Sequence, residues 1–315
     1  MAFMPIDGER VISSRQALTL AKLPETMIVV GSGAIGSEFA WFYAALGVKV
    51  TVVEYMPRMM PLEDEEVSKT MERAFRKLRA AVLTSTTVKS VRVNTEGRCE
   101  VEIEGKKGAE TLTADIVLSA VGIKSNIENI GLEELGVAVE RDKVVVDQFY
   151  RTNVPGVYAI GDIVGGPALA HVASAEGICC VEAICGLNPA PVDYSTIPSC
   201  VFTSPEVASV GMTEQQAQER GIAYKTGRFP FTASGKATAA GDRDGFVKLL
   251  FGEDDTLLGA HMVGMNVTEM IAEPTLARML GATGHRIART IHAHPTMNES
   301  VMEAAEAAMG AAIHL

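Results

Sequence analysis

The segment IHAHPTMNES, near the carboxyl end of the chain, holds the residues best suited to acid–base chemistry. In the functional interpretation, Glu299 hydrogen-bonds one ring nitrogen of His294, orients the ring, raises its basicity and leaves the other nitrogen to take a proton from a substrate. Thr296 and Glu299 also have the T-x-x-E spacing of a capping box, and this alternative gives Glu299 a structural role. His292 and His294 could share a face as metal ligands, but no third ligand lies nearby, so we expect no metal.

Three glycines near the start of the chain point to a different chemistry. Gly31, Gly33 and Gly36 follow a short apolar strand at 27–30 with G-x-G-x-x-G spacing. The first allows a tight turn, the second lets a phosphate approach the backbone, and the third lets helix and strand pack closely. The helix start would offer unpaired N–H groups and a positive dipole end to a pyrophosphate. Apolar residues at helical spacing predict that helix: Ile35, Phe39, Phe42, Tyr43 and Leu46.

Glu54 ends the next predicted strand, 48–53. A carboxylate there can accept hydrogen bonds from the two adenosine ribose hydroxyls and would repel a 2′-phosphate, which favours NAD over NADP. A lone glycine motif would be weak evidence, and an ordinary tight βα turn is the alternative. The order strand, glycines, helix, strand and acid instead predicts a dinucleotide site. The residues expected to contact NAD at this turn are Gly31, Ser32, Gly33, Ala34, Ile35, Gly36, Ser37 and Glu54.

A chain of 315 residues can form two or more domains around these groups. We expect residues 1–24 to be a linker that buries no core, and residues 25–147 to be a Rossmann-type NAD-binding domain with an antiparallel excursion. A buried strand at 116–121 ends at Gly122, which either lines the nicotinamide side or is a simple turn glycine.

Residues 148–192 differ in character from the NAD-binding domain. An apolar strand is predicted to end at Gly161 and Asp162, and an acid there suits a ribose or ribitol hydroxyl. A glycine-rich turn then opens a long helix of small residues. This strand and helix need a sheet that the chain does not otherwise supply.

Residues 193–315 are predicted to form an α+β domain. His261 is interpreted as an ordinary strand-edge residue. The predicted strands lie at 197–211, 246–251 and 256–264, and the predicted helices lie at 213–221, at 269–280 and from about Thr296.

Composition excludes several classes of partner. The net charge of −11 argues against nucleic acid and anionic membranes, and no apolar run is long enough to cross a bilayer. Five cysteines without framework spacing fit reduced thiols in an intracellular protein. Cys180 and Cys185 have C-x4-C spacing, but in a predicted helix their side chains point about 140° apart. We expect both to be buried thiols and not a disulfide.

Taken together, these segments resemble the pyridine nucleotide–disulfide oxidoreductase family, and within it the dihydrolipoyl dehydrogenases, over nearly the whole chain. GSGAIGSE with VVE resembles the family's NAD fingerprint, and SAVG its nicotinamide-side strand. TNVPGVYAIGD with ALAHVASAEG resembles the flavin-contacting segment, and IHAHPTMNES the catalytic motif. The resemblance implies an α/β chain with a Rossmann-type NAD domain, part of an FAD domain at 148–192 and a C-terminal α+β dimerisation domain at 193–315.

The resemblance also assigns roles to single residues. Glu38 and Gly122 would lie toward the nicotinamide and Val88 near the adenine. His294 would be the general base and Glu299 its orienting partner, serving the active site of the opposite subunit, so a homodimer is implied. The residues implied for FAD are Asp162 at the ribitol, with Ala168, Leu169, Ala170 and His171 along the isoalloxazine.

The implied reaction is FAD-mediated oxidation of a dihydrolipoyl group to lipoamide with NAD as acceptor. The dihydrolipoyl group would be carried by a lipoyl domain of a 2-oxo acid dehydrogenase or glycine cleavage complex, in the cytoplasm or the mitochondrial matrix. No nucleic acid or membrane partner is expected.

Two departures from the family pattern matter. Residues 123–126 lack the usual arginine and proline, and the family's N-terminal FAD-binding glycine segment and redox-active C-x4-C are missing. We therefore expect a truncated form that cannot complete catalysis. The alternatives are a non-catalytic, dimerising NAD-binding fragment, and a related flavin disulfide reductase for another substrate such as glutathione. The last usually prefers NADP and a basic residue where Glu54 stands.

Overall fold

The computed structural model describes residues 2–315, which divide into two compact units. One comprises the residues up to Val121 together with Pro198–Leu315, and the other comprises Gly122–Ile197. The four-part division expected from sequence stays a prediction.

Both strands and α-helices occur along the chain. The strands are β1 (Val11–Ile12), β2 (Thr26–Val30), β3 (Lys49–Val53), β4 (Ala81–Leu83), β5 (Thr87–Val93), β6 (Cys99–Gly105), β7 (Gly108–Ala114), β8 (Ile116–Ser119), β9 (Val139–Glu140), β10 (Lys143–Val144), β11 (Pro198–Val201), β12 (Glu206–Gly211), β13 (Tyr224–Pro230), β14 (Phe246–Gly252) and β15 (Leu257–Gly264). The α-helices are α1 (Ser14–Ala17), α2 (Ala34–Ala45), α3 (Glu65–Lys77), α4 (Ala170–Ile184), α5 (Glu214–Glu219), α6 (Gly235–Ala240), α7 (Val267–Met270), α8 (Ala272–Met279), α9 (Gly284–Ala288) and α10 (Glu299–Ala308).

A five-stranded parallel sheet, in the order β1-β8-β2-β3-β4, carries the glycine turn. Its central strands are apolar on both faces, as parallel strands covered on both sides must be; Val29, Val52 and Leu118 are fully buried. A second, antiparallel sheet of β5, β6 and β7 branches from it. The predicted α/β class and the antiparallel excursion are confirmed.

Residues 2–24 do more than link segments, so the expectation that they bury no core is wrong. Val11 and Ile12 pair in parallel with β8 at the sheet edge, and both are buried. Met4 and Ala17 are buried as well. Two apolar residues suffice for an edge strand when a neighbouring strand supplies the ladder, and here that strand comes from a distant part of the sequence.

The C-terminal part forms an antiparallel sheet in the order β11-β12-β15-β14-β13, covered by α10. Gly227 permits this packing, because a Cβ there would lie 1.8 Å from Ala304 O. Sequence reasoning missed β13 and misjudged His261, which is buried on the central strand and not at an edge. Its burial lowers the pKa of the imidazole, against the pull of the Met212 carbonyl.

A buried ion cluster joins this sheet to α3. The Asp64 carboxylate accepts from Glu66 N at 3.0 Å and from Glu214 N at 3.2 Å, so it caps α3 and also binds the first N–H group of α5. Lys248 Nζ lies 2.9 Å from Asp64 Oδ1 and 2.5 Å from Glu214 Oε2. The nucleotide-type sheet and the C-terminal sheet are therefore tied within one unit.

The second unit contains the short β9–β10 pair and the long helix α4. The predicted strand before Asp162 is wrong. Only an isolated bridge joins Arg151 to Tyr158, and Tyr158 and Ile160 are both partly exposed. A single extended segment without neighbouring strands has no ladder partners for its backbone.

The predicted small-residue helix is present as α4, with Cys180 buried and Cys185 exposed just beyond its end. The expectation that Cys185 is buried is therefore wrong. All five cysteines fall within residues 2–315 and none forms a disulfide. Across the same residues, no helix is both long and apolar enough to span a bilayer.

Candidate functional site

The turn after β2 has the geometry that the glycine spacing predicts. Gly31 adopts φ +96°, and a Cβ there would lie 2.5 Å from Ala120 O. A Cβ on Gly36 would lie 2.1 Å from Gly31 O. Gly31 thus allows the turn to lie against the backbone beyond β8, and Gly36 allows α2 to lie against the turn itself.

Gly33 is the exception, since no atom lies within 4 Å of its Cβ position. It is the N-cap of α2, and no side chain caps the helix there. The first N–H groups of α2, from Ala34 to Gly36, have no intrahelical acceptors, and Ala34 and Ile35 are exposed. The open space beside free N–H groups at a helix N-terminus fits a pyrophosphate.

Glu54 follows β3 and is 6% exposed. Its Oε2 accepts from Ser32 N at 2.8 Å and from Ser32 Oγ at 2.6 Å, while Oε1 accepts from Met56 N at 2.8 Å. The structure thus brings the acid and the glycine turn together. Ser32 is its chief partner, a contact the sequence reasoning did not specify.

Three other residues assigned by resemblance have distinct surroundings. Glu38 lies in the second turn of α2, and its Oε1 accepts from Phe202 N at 2.8 Å. Val88 packs in an apolar cluster with Val30 and Val53, the last residues of β2 and β3. Gly122 begins the other unit with φ +129° and open space at its Cβ position.

In the His294 segment, Glu299 contacts the histidine ring, but only half of the expected capping box forms. Helix α10 begins at Glu299 with Asn298 as its N-cap, and Thr296 Oγ1 donates to Ala293 O instead of to the helix. His294 Nδ1 lies 2.8 Å from Glu299 Oε1, and Thr296 N donates to Glu299 Oε2 at 2.8 Å. The His294 side chain is 78% exposed. Partial burial opposes ionisation of Glu299, but the Thr296 N–H and the His294 ring outweigh it and hold the pKa of the carboxyl below its ordinary value.

His292 belongs to a separate buried pair. Its Nε2 lies 2.7 Å from Glu273 Oε1 and its Nδ1 lies 2.9 Å from Thr290 O. Asn298 Nδ2 donates to Glu273 Oε2 at 2.8 Å. The Glu273 hydrogen bond raises the pKa of His292, against the desolvation of a ring that is 6% exposed.

Sequence reasoning missed Glu273 and Asn298. Asn298 stands beside Glu299, but its position follows no recognised motif. Glu273 is on α8, 19 residues before His292, so no local sequence pattern could predict its contacts with His292 and Asn298. The two histidines face different carboxylates, and residues 2–315 contain no group of three His, Cys, Asp or Glu side chains placed to hold a metal.

The residues assigned to FAD lie close together in the second unit. Asp162 is in a short 3₁₀ turn, Gly161–Ile163, and is exposed. Helix α4 begins at Ala170 with no side-chain cap. An exposed acid and an uncapped 15-residue helix fit a ribitol hydroxyl and a polar ring edge. The other residues of this group, Ala168, Leu169 and His171, flank the helix start.

The sequence matches the family described as pyridine nucleotide-disulphide oxidoreductase over residues 2–177, and the dimerisation domain of that family over residues 197–305. Similar curated proteins include the dihydrolipoyl dehydrogenase of Bacillus subtilis, 45% identical over 314 residues. That of Chlorobaculum tepidum is 47% identical over 301 residues. The alignments cover 99% and 95% of this chain but 66% and 64% of those proteins. The chain thus spans slightly less than two thirds of its relatives' length.

Solved structures agree with the sequence matches. LpdA from Mycobacterium tuberculosis superposes with a TM-score of 0.88 at 30% identity, covering 97% of this chain and 66% of that one. The HOCl-induced flavoprotein disulfide reductase RclA from Escherichia coli gives a TM-score of 0.85 at 25% identity, covering 96% of this chain and 69% of that one. With the fold, the glycine turn and the histidine–glutamate pair in place, the chain belongs to the pyridine nucleotide-disulphide oxidoreductase family.

Proposed function

We propose that this chain carries the NAD-binding and proton-accepting parts of a dihydrolipoyl dehydrogenase, which oxidises a dihydrolipoyl group to lipoamide with NAD as acceptor. The observation that carries the proposal is the 2.8 Å contact between His294 Nδ1 and Glu299 Oε1 on an exposed segment. The relatives named dihydrolipoyl dehydrogenase support the substrate class.

His294 acts as the general base in this proposal. Because the Glu299 carboxylate accepts from Nδ1–H, neutral His294 keeps Nε2 as a free acceptor. A thiol becomes a nucleophile only as its thiolate, so proton transfer from a dihydrolipoyl thiol to Nε2 is the step this chain performs. Glu299 then lies against the imidazolium and stabilises its charge.

The dinucleotide site supplies the electron acceptor. The free N–H groups of α2 would bind the pyrophosphate above Gly33, and Glu54 would accept from the adenosine ribose. In the second unit, Asp162 and the start of α4 would hold part of FAD. Bound FAD would supply the two-electron transfer between the two thiols of the dihydrolipoyl group and NAD.

A homodimer completes the proposal. Large apolar side chains are exposed on α8 and just after α8 and α9, in the part that matches the family's dimerisation domain. A second copy covering them would bring His294 to the partner's active site. A lipoyl domain would deliver the substrate, in the cytoplasm or the mitochondrial matrix. The exposed side chains are Leu276, Met279, Leu280 and Ile291.

Three measurements on the purified 315-residue chain test the proposal. Calorimetry should show NADH uptake with NADPH much weaker, and sedimentation should show a dimer. A flavin absorbance band with turnover of dihydrolipoamide would support a catalytically complete chain. A colourless chain that binds NADH would favour our expectation that the chain alone does not complete turnover. Failure to bind NADH contradicts the proposal, and a preference for NADPH favours a related reductase.

A further inference from the structure

Ser32, the second residue of the glycine turn, has an unusual set of contacts for a position that the motif leaves open. It is fully buried, and both of its donors end on the same oxygen of Glu54. Met60 N donates to Ser32 Oγ at 3.1 Å, so the hydroxyl proton is left to point at Glu54. Ser32 therefore accepts from one side and donates to the other, which fixes its rotamer.

The acceptor capacity of the Glu54 carboxylate shows what Ser32 does. A carboxylate has about four lone-pair sites. Two on Oε2 are taken by Ser32, and one on Oε1 is taken by Met56 N. The remaining site lies on Oε1, and the negative charge cannot rotate away because three donors hold it.

From this geometry we infer that Ser32 is a specificity-determining positioning residue, which holds Glu54 so that one oxygen meets a ribose hydroxyl and its charge excludes a 2′-phosphate. The inference rests on the proposed NAD site. A carboxylate free to swing could turn from a 2′-phosphate, and discrimination between NADH and NADPH would shrink. A carboxylate held in place has to repel it.

Ser32→Ala tests the positioning of Glu54 without leaving a buried polar group that would destabilise the fold. It removes the Oγ bond but leaves the Ser32 N–H bond to Glu54, and Met60 N retains the Ser32 carbonyl at 3.2 Å as an acceptor. No buried donor is left unpaired by the change. We expect NADH affinity to fall about tenfold, because a Glu54 carboxylate that the hydroxyl no longer holds loses its charge-assisted hydrogen bond to the ribose. NADPH affinity should change by less than about threefold.

Ser37→Ala is the matched control. Ser37 is equally buried, lies in the first turn of α2, and donates its hydroxyl to Ser32 O at 2.9 Å without touching Glu54. Any loss that it causes should fall on NADH and NADPH in the same proportion. Ser32→Cys retains an atom at the γ position, which is larger than the hydroxyl oxygen and a weaker donor, so it replaces Ser32→Ala if that variant does not fold.

The experiment is calorimetric titration of the 315-residue chain and its variants with NADH and with NADPH. A narrowed NADH-to-NADPH ratio in Ser32→Ala, with an unchanged ratio in Ser37→Ala, supports the inference. Equal weakening of both ligands in Ser32→Ala, or no change, overturns it. If the unmodified chain binds neither ligand, the proposed NAD site itself fails, which is a separate outcome.

Discussion

Two carboxylates in this molecule, Glu54 beside the glycine turn and Glu299 beside His294, are arranged in opposite ways. Glu54 is almost fully buried and held by backbone and hydroxyl donors from its own domain. Glu299 uses one oxygen for the backbone of Thr296 and the other for a ring that stands in solvent. The first arrangement fixes an acceptor in advance, whereas the second leaves a proton acceptor accessible.

The largest expected effect comes from substituting a glycine of the turn after β2, and it should differ sharply between Gly36 and Gly33. In Gly36→Ala the new Cβ would lie 2.1 Å from Gly31 O, which is backbone and cannot yield. We expect a loss of about 3 kcal/mol in unfolding free energy, measured in urea, and NADH binding weakened about a hundredfold.

Gly33→Ala is its counterpart. The Cβ position is open and φ is −63°, so the unfolding free energy should change by less than about 1 kcal/mol. The methyl group would fill the space assigned to the pyrophosphate, and NADH binding should weaken about tenfold. If Gly33→Ala binds NADH normally, the phosphate does not lie over this residue.

The glycine turn could be predicted because its signal is local. Strand, turn, helix and acid follow one another within 28 residues, from Met27 to Glu54, and each has its own pattern. The burial of the helix was harder to foresee. Large apolar residues at helical spacing predicted α2, yet Ile35, Phe42 and Leu46 are exposed, because the small residues Gly36 and Ala40 face the sheet.

The His294 segment shows the opposite limit. The spacing of His294 and Glu299 left their contact open beside a capping role, and the family resemblance favoured it. The Glu273 partner of His292 comes from α8 and depends on tertiary packing. The same limit explains the missed edge strand β1 and the wrongly predicted strand before Asp162. In both places the outcome depends on whether a distant strand is present to pair with.

The two histidines themselves give the next prediction. His292→Gln leaves the Glu273 carboxylate without its cationic partner in a largely buried pair, and should cost about 2–3 kcal/mol of unfolding free energy. His294→Gln, on an exposed ring, should cost less than about 1 kcal/mol. Urea denaturation of both variants at about pH 6, where His292 is charged, makes the measurement. If both variants lose the same unfolding free energy, burial does not distinguish the His292–Glu273 pair from the His294–Glu299 pair.

A smaller effect should appear in the pH dependence of stability. The Glu273 hydrogen bond raises the pKa of folded His292 above the 6.5 expected when unfolded. A raised folded pKa stabilises the protein fully below the unfolded pKa, and this contribution is lost as the pH rises through the folded pKa. The stability difference between the unmodified chain and His292→Gln should therefore shrink on going from about pH 6 to about pH 9. A difference that grows over this range contradicts the assignment.

The smallest energetic effect concerns the pair proposed to act on substrate. Glu299→Ala should cost about 1 kcal/mol or less, since the pair is largely solvated. Nitrogen-15 NMR of the imidazole should nevertheless change clearly. Neutral His294 should carry its proton on Nδ1 while Glu299 accepts it, and should lose that tautomer preference in the variant. Glu299→Gln, which retains an acceptor for Thr296 N, separates the tautomer effect from the loss of the Thr296 contact. An unchanged tautomer in both variants would mean that Glu299 only binds the Thr296 N–H ahead of α10 and does not orient the base.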